Sequence, residues 1–213
     1  DLIVTGVQTC ALPILNLALA EQGWPPVPAE LVRTSLHDGL EGSVQAALAH
    51  LAASPDLANG VAERYALLYQ ARITRWTRAY PGVAAMLARL SAAGVRLGIC
   101  TNKGEAQARQ LLGHLDLAGY FDVVIGADTL SRRKPDPAPL RAAMVRLASV
   151  PWRTLMVGDS QVDIECARAA GLACAVHAGG YGRFATAPEG VELFLDTYRG
   201  SDLDSLLAFV LAR

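Results

Sequence analysis

Three short polar clusters stand out from an otherwise apolar chain: Thr101-Asn102-Lys103, Arg133-Lys134-Pro135-Asp136-Pro137 and Gly158-Asp159-Ser160-Gln161-Val162-Asp163. Between them they offer hydroxyl and amide donors, a lysine cation and a carboxylate pair. Those are the groups needed to hold a phosphate and a hard divalent metal. Each cluster also has a plain structural duty open to it. Thr101 and Asn102 can end a strand and cap the following helix. Lys134 can be a solvated lysine ahead of a proline-rich turn, and Asp159 and Asp163 can be first-turn acids that complement a helix dipole. What decides between the two is whether the fold brings the clusters together.

The elements that must position them follow from periodicity. From Leu15 to Tyr80 apolar residues recur at spacings of three and four (Leu17, Leu19, Ala20; Leu31, Val32, Leu36; Val44, Ala47, Leu48, Leu51), which predicts helices and no strand. Trp24-Pro25-Pro26-Val27-Pro28 and Ser54-Pro55-Asp56 punctuate that half. After Tyr80-Pro81-Gly82 helices alternate with short apolar runs: Val95 to Cys100, Phe121 to Ile125, Thr154 to Val157 and Ala173 to Val176. This texture predicts an α/β fold, a helical unit over 15–80 followed by a Rossmann-like parallel-sheet core over 81–213. In such sheets ligands bind beyond the carboxyl ends of the strands, where all three clusters fall.

Composition narrows the function classes. The 213 residues carry 19 Lys and Arg against 20 Asp and Glu, a net charge of −1, so no field favours nucleic acid or an anionic membrane. The apolar stretch from Cys10 to Ala20 is interrupted by Pro13 and Asn16 and is too short to span a bilayer, which takes roughly 20 residues. Cys10, Cys100, Cys166 and Cys174 lack C-x-x-C spacing, so neither a zinc site nor a disulfide framework is expected, and a cytoplasmic location is. Cys100 reads as a buried strand residue. His37, His50, His114 and His177 show no paired spacing and read as surface or locally bonded.

Hydroxyl, then lysine, then Gly-Asp-Ser-x-x-Asp at successive strand ends resembles the later signature motifs of the haloacid dehalogenase superfamily, with a phosphoglycolate-phosphatase-like texture from about Leu15 to Arg213. Tyr80-Pro81-Gly82-Val83 and Gly179-Gly180-Tyr181-Gly182 share in that resemblance. It implies a phosphatase with an N-terminal helical cap that hydrolyses small phosphorylated metabolites through an aspartyl-phosphate intermediate. Carried over, Thr101 and Asn102 bind phosphate. Lys134 binds it too and acts catalytically by neutralising charge, Asp159 ligates Mg²⁺ and Asp163 is its outer support. Arg33, His37 and Asp38 lie where a cap meets substrate. A sugar-phosphate phosphatase or phosphomutase, or a non-catalytic phosphate-binding fragment, is the alternative, and the state expected is a monomer or homodimer.

One motif of the resemblance is absent. The superfamily's nucleophile and general acid lie in Asp-x-Asp-Gly-Thr at the end of a first strand, and neither is present here. Val4 to Ile14 resembles translated sequencing-adapter readthrough, so residues 1–14 are read as a non-native segment and the first core strand as missing or replaced. Leu2-Ile3-Val4-Thr5 has a strand-like composition that suits that place. Asp1 is followed by no Gly-Thr and takes no role.

Overall fold

The computed structural model describes residues 2–4, 7–8, 11–35 and 39–212. The chain divides into two units, one of residues 1–8 and 78–213 and one of residues 9–77.

The second unit is helical: α1 (Ala11–Ala20), α2 (Ala29–Ser35), α3 (Gly39–His50) and α4 (Ala58–Trp76). Ile14, Leu15, Ala18 and Leu19 of α1 are buried, as are Val61, Tyr65, Leu68 and Ile73 of α4, and the two helices pack together. The Tyr65 hydroxyl donates to the Ala11 carbonyl at 3.3 Å. The turn after α1 is pinned by Asn16, whose Oδ1 accepts from the Val27 amide at 2.9 Å while its Nδ2 donates to the Val27 carbonyl. Helix α1 starts four residues before the expected Leu15 because Pro13 sits in its first turn, where a backbone N–H has no intrahelical acceptor to lose.

The first unit holds a parallel sheet of β1 (Leu2–Val4), β4 (Leu97–Cys100), β5 (Val123–Ile125), β6 (Leu155–Gly158), β7 (Ala173–His177) and β8 (Leu193–Leu195) in the order β5-β4-β1-β6-β7-β8. Leu2, Ile3 and Val4 of β1 pair with Leu97, Gly98 and Ile99 on one side and with Leu155, Met156 and Val157 on the other. The place expected for a missing or replaced first strand is thus filled by Leu2–Val4. A separate antiparallel ribbon joins β2 (Val7–Gln8) to β3 (Arg78–Ala79). β3 corrects the expectation of no strand before Tyr80; a two-residue strand carries no periodicity to read.

Five helices cover this sheet. Leu97, Ile99, Leu155, Val157 and Ala175 bury one face among α5 (Val83–Ala92), α6 (Glu105–His114) and α9 (Gly200–Leu211). Cys100, Ile125, Met156, Cys174 and Val176 bury the other among α7 (Ala138–Arg146) and α8 (Gln161–Ala170). Successive strand residues go to opposite faces, so a sheet covered on both sides must be apolar throughout, as the uniformly buried β4, β5, β6 and β7 are. Among the described residues no helix is long and apolar enough to cross a membrane.

Candidate active site

Two of the polar clusters sit at the carboxyl ends of the strands that flank β1. Thr101 follows β4, and its amide still donates to the Ile125 carbonyl at 2.9 Å, continuing the strand ladder by one residue. Asp159 follows β6 and is 6% exposed. The third cluster lies in the segment between β5 and α7, and Asn102 ties it down. Asn102 Nδ2 donates to the Lys134 carbonyl at 2.9 Å, while the Lys134 amide donates to Asn102 Oδ1 at 3.0 Å. One amide proton and the carbonyl oxygen of Asn102 therefore serve to clamp Lys134.

Lys134, 5% exposed, is the hub. Its Nζ donates to the Cys100 carbonyl at 2.9 Å and to Asp163 Oδ1 at 2.7 Å. Asp163 Oδ2 accepts from the Asp159 amide at 3.1 Å, the Ser160 amide at 3.1 Å and the Ser160 hydroxyl at 2.7 Å. Asp163 occupies the third position of α8 and reaches back to its N-cap, so one carboxylate both starts the helix and holds the lysine. Thr101 Oγ1 accepts from the Lys103 amide at 3.2 Å. The structure thus joins Asn102, Lys134, Asp159 and Asp163 by direct bonds, with Thr101 one peptide beyond the carbonyl that Lys134 holds.

Electrostatics separates the two aspartates. Burial acts to raise the Asp163 carboxyl, yet the Lys134 ammonium and the donated hydrogen bonds outweigh it and keep the group below its ordinary value. Burial acts to lower Lys134, and Asp163 holds it above. Asp159 gains less from the lysine: burial first, then the Asp163 charge, push its carboxyl up to about 7. Burial brings half-buried Lys103 down to about 8. Cys100 is fully buried and its thiol is pushed up to about 11, in keeping with a core residue.

Asp159 has partners that the sequence did not disclose. The Tyr80 hydroxyl donates to Asp159 Oδ2 at 3.2 Å, and the Gly182 amide to the Asp159 carbonyl at 2.7 Å. A Cβ built on Gly180 would lie 2.2 Å from the Asp159 Cβ, so this loop closes on the aspartate only because position 180 is glycine. In the sequence Tyr80 stood out only within Tyr80-Pro81-Gly82-Val83, which names no partner for its hydroxyl.

His177, expected at the surface or locally bonded, is instead buried with its Nδ1 against the Leu195 carbonyl, while in the helical unit His50 ends α3 and Arg33 is ion-paired with Glu30. His37 and Asp38 lie outside the described residues. Among the described residues no group of three or more His, Cys, Asp or Glu converges as a metal cage. A magnesium ion needs no such cage, since it is held by one or two carboxylates together with waters and substrate phosphate.

A profile of the family described as haloacid dehalogenase-like hydrolase matches residues 7–177. The phosphoglycolate phosphatase of Cereibacter sphaeroides is 41% identical over 170 residues, 78% of this chain and 77% of that protein. The phosphoglycolate phosphatase of Neisseria gonorrhoeae is 38% identical over 169 residues, 78% of this chain and 72% of its own length. A crystal structure assigned as a predicted phosphoglycolate phosphatase from Haemophilus somnus superposes with a TM-score of 0.86 at 24% identity, covering 97% of this chain and 96% of that one. The chain belongs to the haloacid dehalogenase-like hydrolases and is a homologue of their phosphoglycolate phosphatases.

Proposed function

We propose that this chain carries the phosphate- and Mg²⁺-binding half of a phosphomonoesterase site for a small metabolite of the phosphoglycolate class, and that it does not turn that substrate over. The observation that carries the reading is the interlock of Lys134, Asp163 and Asp159 at the carboxyl edge of the sheet, set beside a chain that has no Asp or Glu between Asp1 and Glu21.

Each residue has a task in this reading. The Thr101 hydroxyl and the Asn102 amide donate to phosphate oxygens. Lys134 spends two of its protons on the Cys100 carbonyl and Asp163 and has a third for a phosphoryl oxygen, where a fixed cation in a buried site stabilises equatorial charge. Asp159 fits a magnesium ligand: it is a hard oxygen donor, buried and held by the Gly180–Gly182 loop, and Asp163 steadies its amide. When bound, Mg²⁺ supplies Lewis-acid stabilisation of charge on the phosphoryl group.

The family's reaction also needs a carboxylate aimed in line at phosphorus and a second one to move the proton of the leaving alkoxide. The residues after β1 are Thr5-Gly6-Val7-Gln8, none of which supplies either. The test compares the present chain with one whose residues 1–14 are replaced by a strand ending in Asp-x-Asp-Gly-Thr and a family-like linker. Phosphate release is measured over a panel led by phosphoglycolate and including sugar phosphates. The repaired chain should be Mg²⁺-dependent and faster by several orders of magnitude. Equal rates from two folded chains would refute the lost nucleophile, and turnover undiminished in EDTA would refute the metal.

A further inference from the structure

The cluster above Asp159 has no part in the reading so far. Tyr80 is 8% exposed and its hydroxyl donates to Asp159 Oδ2. Its ring is fixed on two sides, edge-on to His177 with centroids 4.6 Å apart and tilted against Tyr198 at 6.3 Å. His177 is itself held. It lies 4.8 Å from the Tyr198 ring, and its Nδ1 is 3.1 Å from the Leu195 carbonyl, a group that can only accept, so Nδ1 carries a proton. The backbone around Tyr80 is constrained as well. It follows the β2–β3 ribbon directly, and its carbonyl accepts from the Val83 amide at 3.1 Å. The turn then passes through Gly82 at φ +96°, so close to Tyr198 that a Cβ there would lie 2.5 Å from the Tyr198 carbonyl oxygen.

We infer that Tyr80 is a positioning residue for the divalent cation: its hydroxyl fixes the orientation of the Asp159 carboxylate, and the rings of His177 and Tyr198 fix Tyr80. The inference rests on the reading of Asp159 as the metal ligand. A carboxylate that turns freely about its last bond pays for its order when a metal arrives, whereas one already held by a donor presents its remaining lone pairs without that cost. The phenol suits this duty, since it donates one proton to Oδ2 and carries no charge to compete with the cation. The alternative is that Tyr80 only fills space between His177 and Tyr198, a task phenylalanine performs equally well.

Tyr80→Phe separates the two, because it keeps the ring and removes the donor. The intact chain, Tyr80→Phe and Asp159→Asn are titrated with Mn²⁺, an oxygen-seeking stand-in for Mg²⁺, and free ion is followed by its paramagnetic resonance signal. The Phe variant should bind Mn²⁺ about tenfold more weakly or worse, the usual scale for losing a hydrogen-bond partner of a ligand. Its circular dichroism should match that of the parent, and its urea midpoint should fall only as far as the loss of one hydrogen bond requires. Affinity within twofold of the parent, with Asp159→Asn still defective, overturns the role of Tyr80 and leaves Asp159 as ligand. Equal binding by all three, or none by the parent, overturns the metal assignment and the role of Tyr80 with it.

Discussion

Replacing Lys134 by methionine tests the hub directly, because the substitution keeps most of the side chain's length and removes its charge. In the folded chain Lys134 and Asp163 are 5% and 2% exposed and meet at 2.7 Å. Losing one partner of a buried ion pair costs about 3–5 kcal/mol, and a buried carbonyl left without its donor about 1 kcal/mol more. Against this, Asp163 keeps three hydrogen bonds on Oδ2, which places the expected loss near the low end, about 3–4 kcal/mol at pH 8. The pH dependence sharpens the test. In the parent the Asp163 carboxyl is held low, so its contribution is present above the unfolded value near 4 and is lost only as pH falls through the lower folded value. Lys134 is held high, so its contribution is complete below about 10. The pair is therefore intact from pH 5 to 8. In the variant only the hydrogen bonds from Ser160 and the Asp159 amide still oppose burial, so the Asp163 carboxyl rises and protonation relieves the unpaired charge. Urea unfolding should show a large deficit at pH 8 that shrinks towards pH 5, and adding Asp163→Asn should restore about 2 kcal/mol. A deficit below about 1 kcal/mol, or one that ignores pH, refutes the view of this pair as a buried and mutually dependent unit.

Asp159→Asn should abolish metal binding and flatten a pH dependence. With its carboxyl pushed up to about 7, the folded state of the metal-free parent keeps a proton that the unfolded chain has released, so parental stability falls as pH rises from about 4 to 7. At pH 8 the metal-free Asn variant should be the more stable by about 1–4 kcal/mol in urea titrations. In the parent, Mn²⁺ affinity should weaken as pH falls below about 7, since proton and metal compete for one carboxylate. Ser160→Ala removes a 2.7 Å donor from Asp163 and should lower stability by about 1–2 kcal/mol in thermal melts, the scale of a hydrogen bond to a buried charge.

The positions of Thr101 and Asp159 were legible in the sequence because polar residues directly after apolar runs in an alternating chain collect at one edge of a parallel sheet, whereas Lys134 and Asp163 were singled out by the motif resemblance. The contacts that orient them were not. Tyr80 lies 79 residues from Asp159 along the chain, and nothing local links a tyrosine before Pro-Gly to a distant carboxylate. Asn102 was read as a phosphate contact, while its reciprocal pair with the Lys134 backbone depends on the path of the segment after β5. Strand β8 and helix α9 went unread, although Leu193-Phe194-Leu195 and Leu206 to Leu211 are apolar runs. The early start of α1 was masked by Pro13, a helix breaker everywhere except in the first turn.

Strand β1 bears on how far the fold and the proposed loss of catalysis are independent. A parallel ladder bonds main-chain groups, and what it asks of the side chains in a doubly covered sheet is that they be apolar and suited to a pleated surface. Leu2-Ile3-Val4 meets that demand and occupies both inner edges, with partners on β4 and β6. The bonds among Asn102, Lys134, Ser160, Asp159 and Asp163 come from β4, β6, α8 and the segment between β5 and α7, and none uses a side chain of β1. The interlock of Lys134, Asp163 and Asp159 therefore forms whatever follows β1, whereas the nucleophile of the proposed reaction depends wholly on it. Restoring Asp-x-Asp-Gly-Thr should leave the stability of the sheet nearly unchanged and alter turnover by orders of magnitude. A repaired chain that gains many kcal/mol of stability along with activity would show instead that the present β1 is a poor strand and that the two defects share one cause.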